Sequence, residues 1–142
     1  MELLIVIVLM GMIFSMTTPL FTKTLASARL QTDARQLASL LRLARQTAIS
    51  SGQGKTVVFY PNNAKYKVVG EAPYNLEPGI SFVGNTTFTA RVGGLPACGF
   101  SPSGAPSSGG TITLGSGDNR LYVIVNPVAG RVRISARPPD NW

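Results

Sequence analysis

A chain of 142 residues is long enough for one domain and an appendage, and its 44% of apolar residues are unevenly spread. Thirteen Lys and Arg oppose six Asp and Glu for a net charge of +7, with no histidine and one cysteine, Cys98. That inventory excludes an internal disulfide, leaves too few ligands for a metal site and argues against His- or Cys/His-based catalysis. Nothing singles out a Ser/Lys pair, so no catalytic residue and no cofactor is expected. Past Ser50 eight basic residues face four acidic ones. Such a surface suits anionic partners, nucleic acid or anionic lipid, or serves solubility alone.

The first element is apolar. From Leu3 to Phe21 there is no charge, and Leu, Ile, Val, Met and Phe dominate. That is about the ~20 residues a helix needs to cross a bilayer. Two other readings compete. Ala26-Ser27-Ala28 resembles a signal-peptidase site, but the run is long for a signal peptide and is preceded by Glu2 rather than by Lys or Arg. A buried core helix is disfavoured because the charge-free stretch is too long.

Past Pro19 the helical period continues. Leu30, Ala34, Leu37, Leu41, Ala44 and Ala48 follow steps of four and three along one face. Gln31, Arg35, Arg42, Arg45 and Gln46 lie mostly off that stripe, and Gly52 and Gly54 stop the helix. One helix of nearly fifty residues would run roughly 75 Å, against a radius of gyration of only ~12 Å for a head of the remaining ninety. The helix must protrude. Its amphipathic half can lie on the head, while its apolar half is left to lipid or to copies of itself.

From Lys55 the pattern changes to strands and turns. "KTVVFY", "PNNA" and "KYKVV" read as a hairpin, followed by "ISFV" and "FTARV" across the turn-like "GNT". Residues 93–110, mostly Gly, Pro and Ser, read as a long loop with a short strand around Phe100. "TITL", "RLYVIV" and "RVRISA" then form strands separated by "GSGDN" and "NPVAG". Short strands with no intervening helix imply an antiparallel sheet. The expected fold is α+β: a long protruding N-terminal helix, apolar then amphipathic, packed on an antiparallel β-rich head. Its divisions are residues 1–21, 22–51 and 52–142.

Five features invite a chemical reading. "SGQGKT" ends like a P-loop, but the position that needs the first glycine is Ile49, and the order is helix to strand instead of strand to helix. It reads as a helix stop. Gly11 and Ser15 form a small-xxx-small pair of the kind that lets membrane helices approach. Pro19 would free the Ser15 carbonyl and marks a site of kinking or melting, with Thr17 and Thr18 able to bond locally. In "GRVRISAR", Val132, Ile134 and Ala136 alternate with Arg131, Arg133, Ser135 and Arg137, so a file of arginines points outward, with Arg120 and Tyr122 of matching parity nearby. Such a file could grip phosphates beside a stacking aromatic, or guard an edge strand against aggregation. The carboxylate of Glu2 is costly near hydrocarbon, on the order of 2.5–3.5 kcal/mol at a bilayer centre and less at its edge. It either reaches water or meets a cation when the helix enters a bundle, where the pair would fix one stagger between copies.

"ELLIVIVLMGMIFSMTTPLF" resembles the N-terminal methylation segment of type IV pilins and type II secretion pseudopilins, with Glu2, Gly11 and Pro19 at the family's relative spacing. "LASLLRLARQTAISSGQGKTVVF" and the closing "GRVRI" resemble the GspH/FimT branch of minor pseudopilins and minor pilins. The resemblance implies a subunit held in the inner membrane with its head in the periplasm. An assembly ATPase then draws it into a filament cored by bundled N-terminal helices, and a prepilin peptidase acts first. Glu2 would pair with a neighbouring subunit's N-terminal amine, and Gly11 to Pro19 would match the stretch that loosens in the filament. Gly130, Arg131 and Arg133 would match the GRxR sequence that contributes to DNA binding in FimT relatives, with Arg137 a further candidate. The family carries a short basic leader, whereas only Met1 precedes Glu2 here. Without a leader, Lys23 and Arg29 after the span would by charge counting place the head in the cytoplasm. A major pilin is a further reading within the same superfamily.

Overall fold

The computed structural model describes residues 2–139, without the side chains of residues 14–21. Helix α1 runs Glu2–Ser51 without a break in its backbone assignment. The charge-free and Ala/Leu-rich sequence supports this length, and Gly52, at φ +65°, ends the helix in the left-handed conformation that glycine adopts without strain. Ser15, Thr17, Thr18 and Pro19 have side chains outside the described residues, as does the kink expected at Pro19.

The two halves of α1 differ as the periodicity requires. Leu3 to Ile13 are exposed, the large apolar side chains by between 51 and 74%. No part of the head covers them. In the second half Leu30, Ala34, Leu37, Leu41, Ala44 and Ala48 are buried. Ala38 and Leu40 join them, and the alanines allow the sheets to approach the helix axis. Burying one leucine of this stripe is worth about 1.5–3 kcal/mol, so packing, more than helix propensity, holds this half in place.

The head is two antiparallel sheets. β1 (Lys55–Tyr60) turns through Pro61–Asn63 into β2 (Lys65–Val68), as the hairpin pattern predicts, with Val57 opposite Val68 and Tyr60 opposite Lys65. β3 (Tyr74–Asn75), β4 (Ser81–Phe82) and β5 (Arg91–Val92) are short. β6 (Leu95–Phe100), β7 (Gly110–Ser116), β8 (Asn119–Val125) and β9 (Val132–Ser135) complete the set. One sheet has the order β3-β2-β1-β6-β5 and the other β4-β7-β8-β9. Both lean on α1, and Phe59, Phe88, Phe100, Ile112, Leu114, Val123 and Val125 fill the space beneath it. Phe59 stacks on Phe88 at 5.5 Å between ring centroids.

Two expectations need correction. The long loop over residues 93–110 is in fact largely strand at its start: β6 lies beside β1, pairing Val57 with Cys98 and Lys55 with Phe100. Its "LPACGF" lacks alternation because Pro96, Ala97 and Cys98 are consecutively buried, small side chains serving both faces. The strand expected over "FTARV" shrinks to Arg91–Val92, and Phe88 turns into the core instead.

Cys98 is fully buried in β6, and loss of water pushes its thiol up to about 12. Thiolate is therefore scarce at neutral pH, and the group packs as a small apolar residue.

Asp33 is the one buried carboxylate among the described residues, accepting the Glu77 amide at 2.8 Å and so tying the β3–β4 connection to α1. Burial raises its pKa above the usual carboxylate value, while the Glu77 amide works in the opposite direction. A carboxyl raised in the folded state binds its proton more readily there than in the unfolded chain. Its contribution to stability is fully present below the unfolded pKa and is lost as pH rises through the folded one. Asp33→Asn keeps an acceptor for Glu77 and is expected to raise the Tm at neutral pH while changing it little in acid. Melting curves at both pH values check this, and a lowered neutral Tm would contradict it.

Candidate functional site

Two regions hold the residues singled out by sequence. The first is the start of α1. Glu2 is exposed in the first turn, where a carboxylate also complements the helix dipole. Gly11 has open space around it, with nothing within 4 Å of where a Cβ would sit. Among the described residues no helix is long and apolar enough to cross a membrane; the described apolar side chains stop at Ile13 and resume after residue 21.

The second region is the β8–β9 corner. Asn126 to Gly130 make a tight turn: the Asn126 side-chain oxygen accepts the Val128 and Ala129 amides at 2.9 Å, and the Gly130 amide donates to the Asn126 carbonyl at 3.0 Å. β9 then pairs on β8 with Val125 opposite Val132 and Ile124 opposite Arg133. Paired residues share a face, so Val132 enters the core while Arg133 is exposed on the opposite face, the one that also carries the buried Ile124. Arg131, Arg133, Asn126 and Ile124 line an open cleft of about 280 Å³. Two guanidinium groups sharing a cleft with an amide can grip an anion by paired hydrogen bonds.

Not every expected member is there. Ala136 and Arg137 lie in a bend after β9 ends at Ser135, so Ala136 is exposed rather than inward, and Arg137 is not among the residues lining the cleft. Tyr122 pairs with Ser135, and Arg120 sits opposite Gly115. Arg120 is thus four residues from Ile124 along β8, roughly 13 Å away.

Sequence reasoning missed what seats this corner on the helix. Arg42 donates from Nη2 to the Val132 carbonyl at 2.9 Å, and Arg45 from Nε to the Gly104 carbonyl at 2.9 Å. Gly130, at φ +61°, presses against the same Gly104 oxygen: a Cβ there would come within 2.8 Å of it and 3.2 Å of Arg45 Nε. The glycine of "GRVR" is therefore fixed by packing, and the arginines after it are exposed. In sequence Arg42 and Arg45 look like solvent-facing charges beside the apolar stripe; their partners are carbonyls, which leave no side-chain signal.

Comparison with known proteins agrees with this architecture. A family model described as type II transport protein GspH matches residues 33–130, a span that leaves out Glu2, Gly11, Pro19, Arg131, Arg133 and Arg137. No curated protein is detectably related by sequence. Among solved structures, the minor pseudopilin EpsH from the type 2 secretion system of Vibrio cholerae has a TM-score of 0.62 at 15% identity, covering 75% of this chain and 96% of that one. The type IV minor pilin FimU of Pseudomonas aeruginosa has a TM-score of 0.57 at 13% identity, covering 74% and 91%, and a second crystal form of it gives 0.58. The chain has the pilin-like α+β fold and belongs to the GspH family.

Proposed function

We propose that this protein is a minor pilin or pseudopilin, a subunit of a type IV pilus-like filament of a secretion or pilus machine. It assembles with other pilin or pseudopilin subunits through the N-terminal half of α1. The observation that carries this reading is the row from Leu3 to Ile13, helical and exposed along its whole described length. An apolar helix with no cover from its own head needs lipid or other helices. Before assembly residues 1–21 hold the subunit in the inner membrane with the head, residues 52–142, in the periplasm. Prepilin peptidase and the assembly machinery act on that form, and residues 22–51 carry the head in the filament.

Ile7→Asp tests the apolar segment directly. A charge inside the span is costly, about 2.5–3.5 kcal/mol at its centre and somewhat less at Ile7, five residues short of it. The variant is expected to lose membrane retention and filament incorporation together, read by vesicle flotation and by its amount in sheared filaments. Unchanged flotation would overturn the membrane reading.

A second reading is favoured by the β8–β9 corner: capture of DNA by Arg131 and Arg133, with Arg137 adding charge. The supporting observation is the cleft in which the first two converge with Asn126.

A further inference from the structure

A second cleft lies where α1 leaves the head. Thr22, Lys23 and Ala26 face the β7–β8 turn, Ser116 to Asn119, across an open space of about 400 Å³. Room for on the order of a dozen waters accommodates a small polar headgroup. Lys23 brings a positive charge to this cleft and Asp118 a negative one, and no ion pair joins them. Opposite charges held across a gap match a ligand carrying both signs. Gly117, at φ +57° with nothing within 4 Å of a Cβ, keeps the tip of the turn slim.

Depth along the helix narrows the class of ligand. At ~1.5 Å per residue, Lys23 stands about 3 Å beyond Phe21, the end of the charge-free run, and Ala26 about 8 Å. The polar layer of a bilayer adds roughly 5–7 Å to each side of its hydrocarbon core. With the apolar half of α1 in lipid, the cleft therefore opens at headgroup level.

We propose that the cleft receives the headgroup of an ethanolamine phospholipid, phosphate toward Lys23 and ammonium toward Asp118. The proposal rests on the membrane reading above. Ser116 and Asn119 add a hydroxyl and an amide that can donate to the phosphate. A choline headgroup has no N–H to give Asp118, and a purely anionic headgroup would set its charge against that carboxylate.

The test uses the full chain in nanodiscs of choline phospholipid alone, with added ethanolamine phospholipid, or with added phosphoglycerol lipid. Hydrogen exchange of residues 116–119 is the readout. Ethanolamine lipid is expected to slow these amides about tenfold relative to choline lipid, and Asp118→Asn and Lys23→Gln are each expected to abolish the slowing. Equal exchange in ethanolamine and choline discs overturns the proposal. So does slowing by phosphoglycerol that Asp118→Asn strengthens, which would assign a simple anionic surface. Failure to incorporate into any disc overturns the membrane reading and this proposal together; incorporation with equal exchange overturns this proposal alone.

Discussion

Glu2→Ala is expected to leave the protein in the membrane and to lower its incorporation into filaments roughly a hundredfold. The carboxylate sits in the first turn of α1 at the end of an apolar row, so in a bilayer it can reach the water boundary, where removing it costs little. In a bundle of apolar helices the same group is surrounded by hydrocarbon unless a neighbour supplies a cation, which the family resemblance assigns to that neighbour's N-terminal amine. Truncating one partner of a buried ion pair costs about 3–5 kcal/mol because the other charge is left stranded, and ~3 kcal/mol corresponds to about a hundredfold. Flotation and quantification in sheared filaments, done on one preparation, separate the two steps. A Glu2→Ala protein that enters filaments at the level of the unaltered chain removes the pairing role. Ile7→Asp, by contrast, is expected to fail at the first step, so the two variants distinguish anchoring from assembly.

The parts of this fold that were legible from sequence are those where one physical demand writes a regular pattern. The stripe from Leu30 to Ala48 is periodic because a single helix face meets the sheets, and its residues are buried as expected. β1, β2, β7 and β8 carry β-branched and aromatic residues between turn residues, and each appears where it was expected. β6 was legible only as a short strand around Phe100, because its demand is different: between β1 and β5 it must be thin on both faces, so Pro96, Ala97, Cys98 and Gly99 replace the usual bulky alternation and imitate a loop. At the candidate site the outward parity of Arg131 and Arg133 was readable, since alternation is local. The end of β9 at Ser135, which takes Arg137 out of the file, was not. Nor was the link from Arg42 and Arg45 to backbone carbonyls 90 and 59 residues away, because such bonds constrain the cation and leave the partner's residue type unrestricted.

That last link leads to the sharpest expectation within one short motif. Gly130→Ala is expected to destabilise the head by about 2–4 kcal/mol, the combined cost of a positive φ and of a Cβ forced against a backbone oxygen. The Gly104 carbonyl cannot swing aside cheaply, since it also accepts the Arg45 guanidinium. Arg131→Ala and Arg133→Ala, exposed and one or three residues further on, are expected to change stability by no more than about 0.5 kcal/mol. Their effect belongs to binding: if both meet phosphates, the double variant should lower the slope of log affinity against log salt for duplex DNA by about 2. Thermal melts and gel shifts across a salt series therefore divide "GRVR" between two jobs. A Gly130→Ala protein with an unchanged Tm would mean that the corner is not seated on Arg45 and Gly104 as described. An Arg131→Ala/Arg133→Ala protein that keeps the full salt slope would take DNA away from the cleft and leave the arginines as guards of an edge strand.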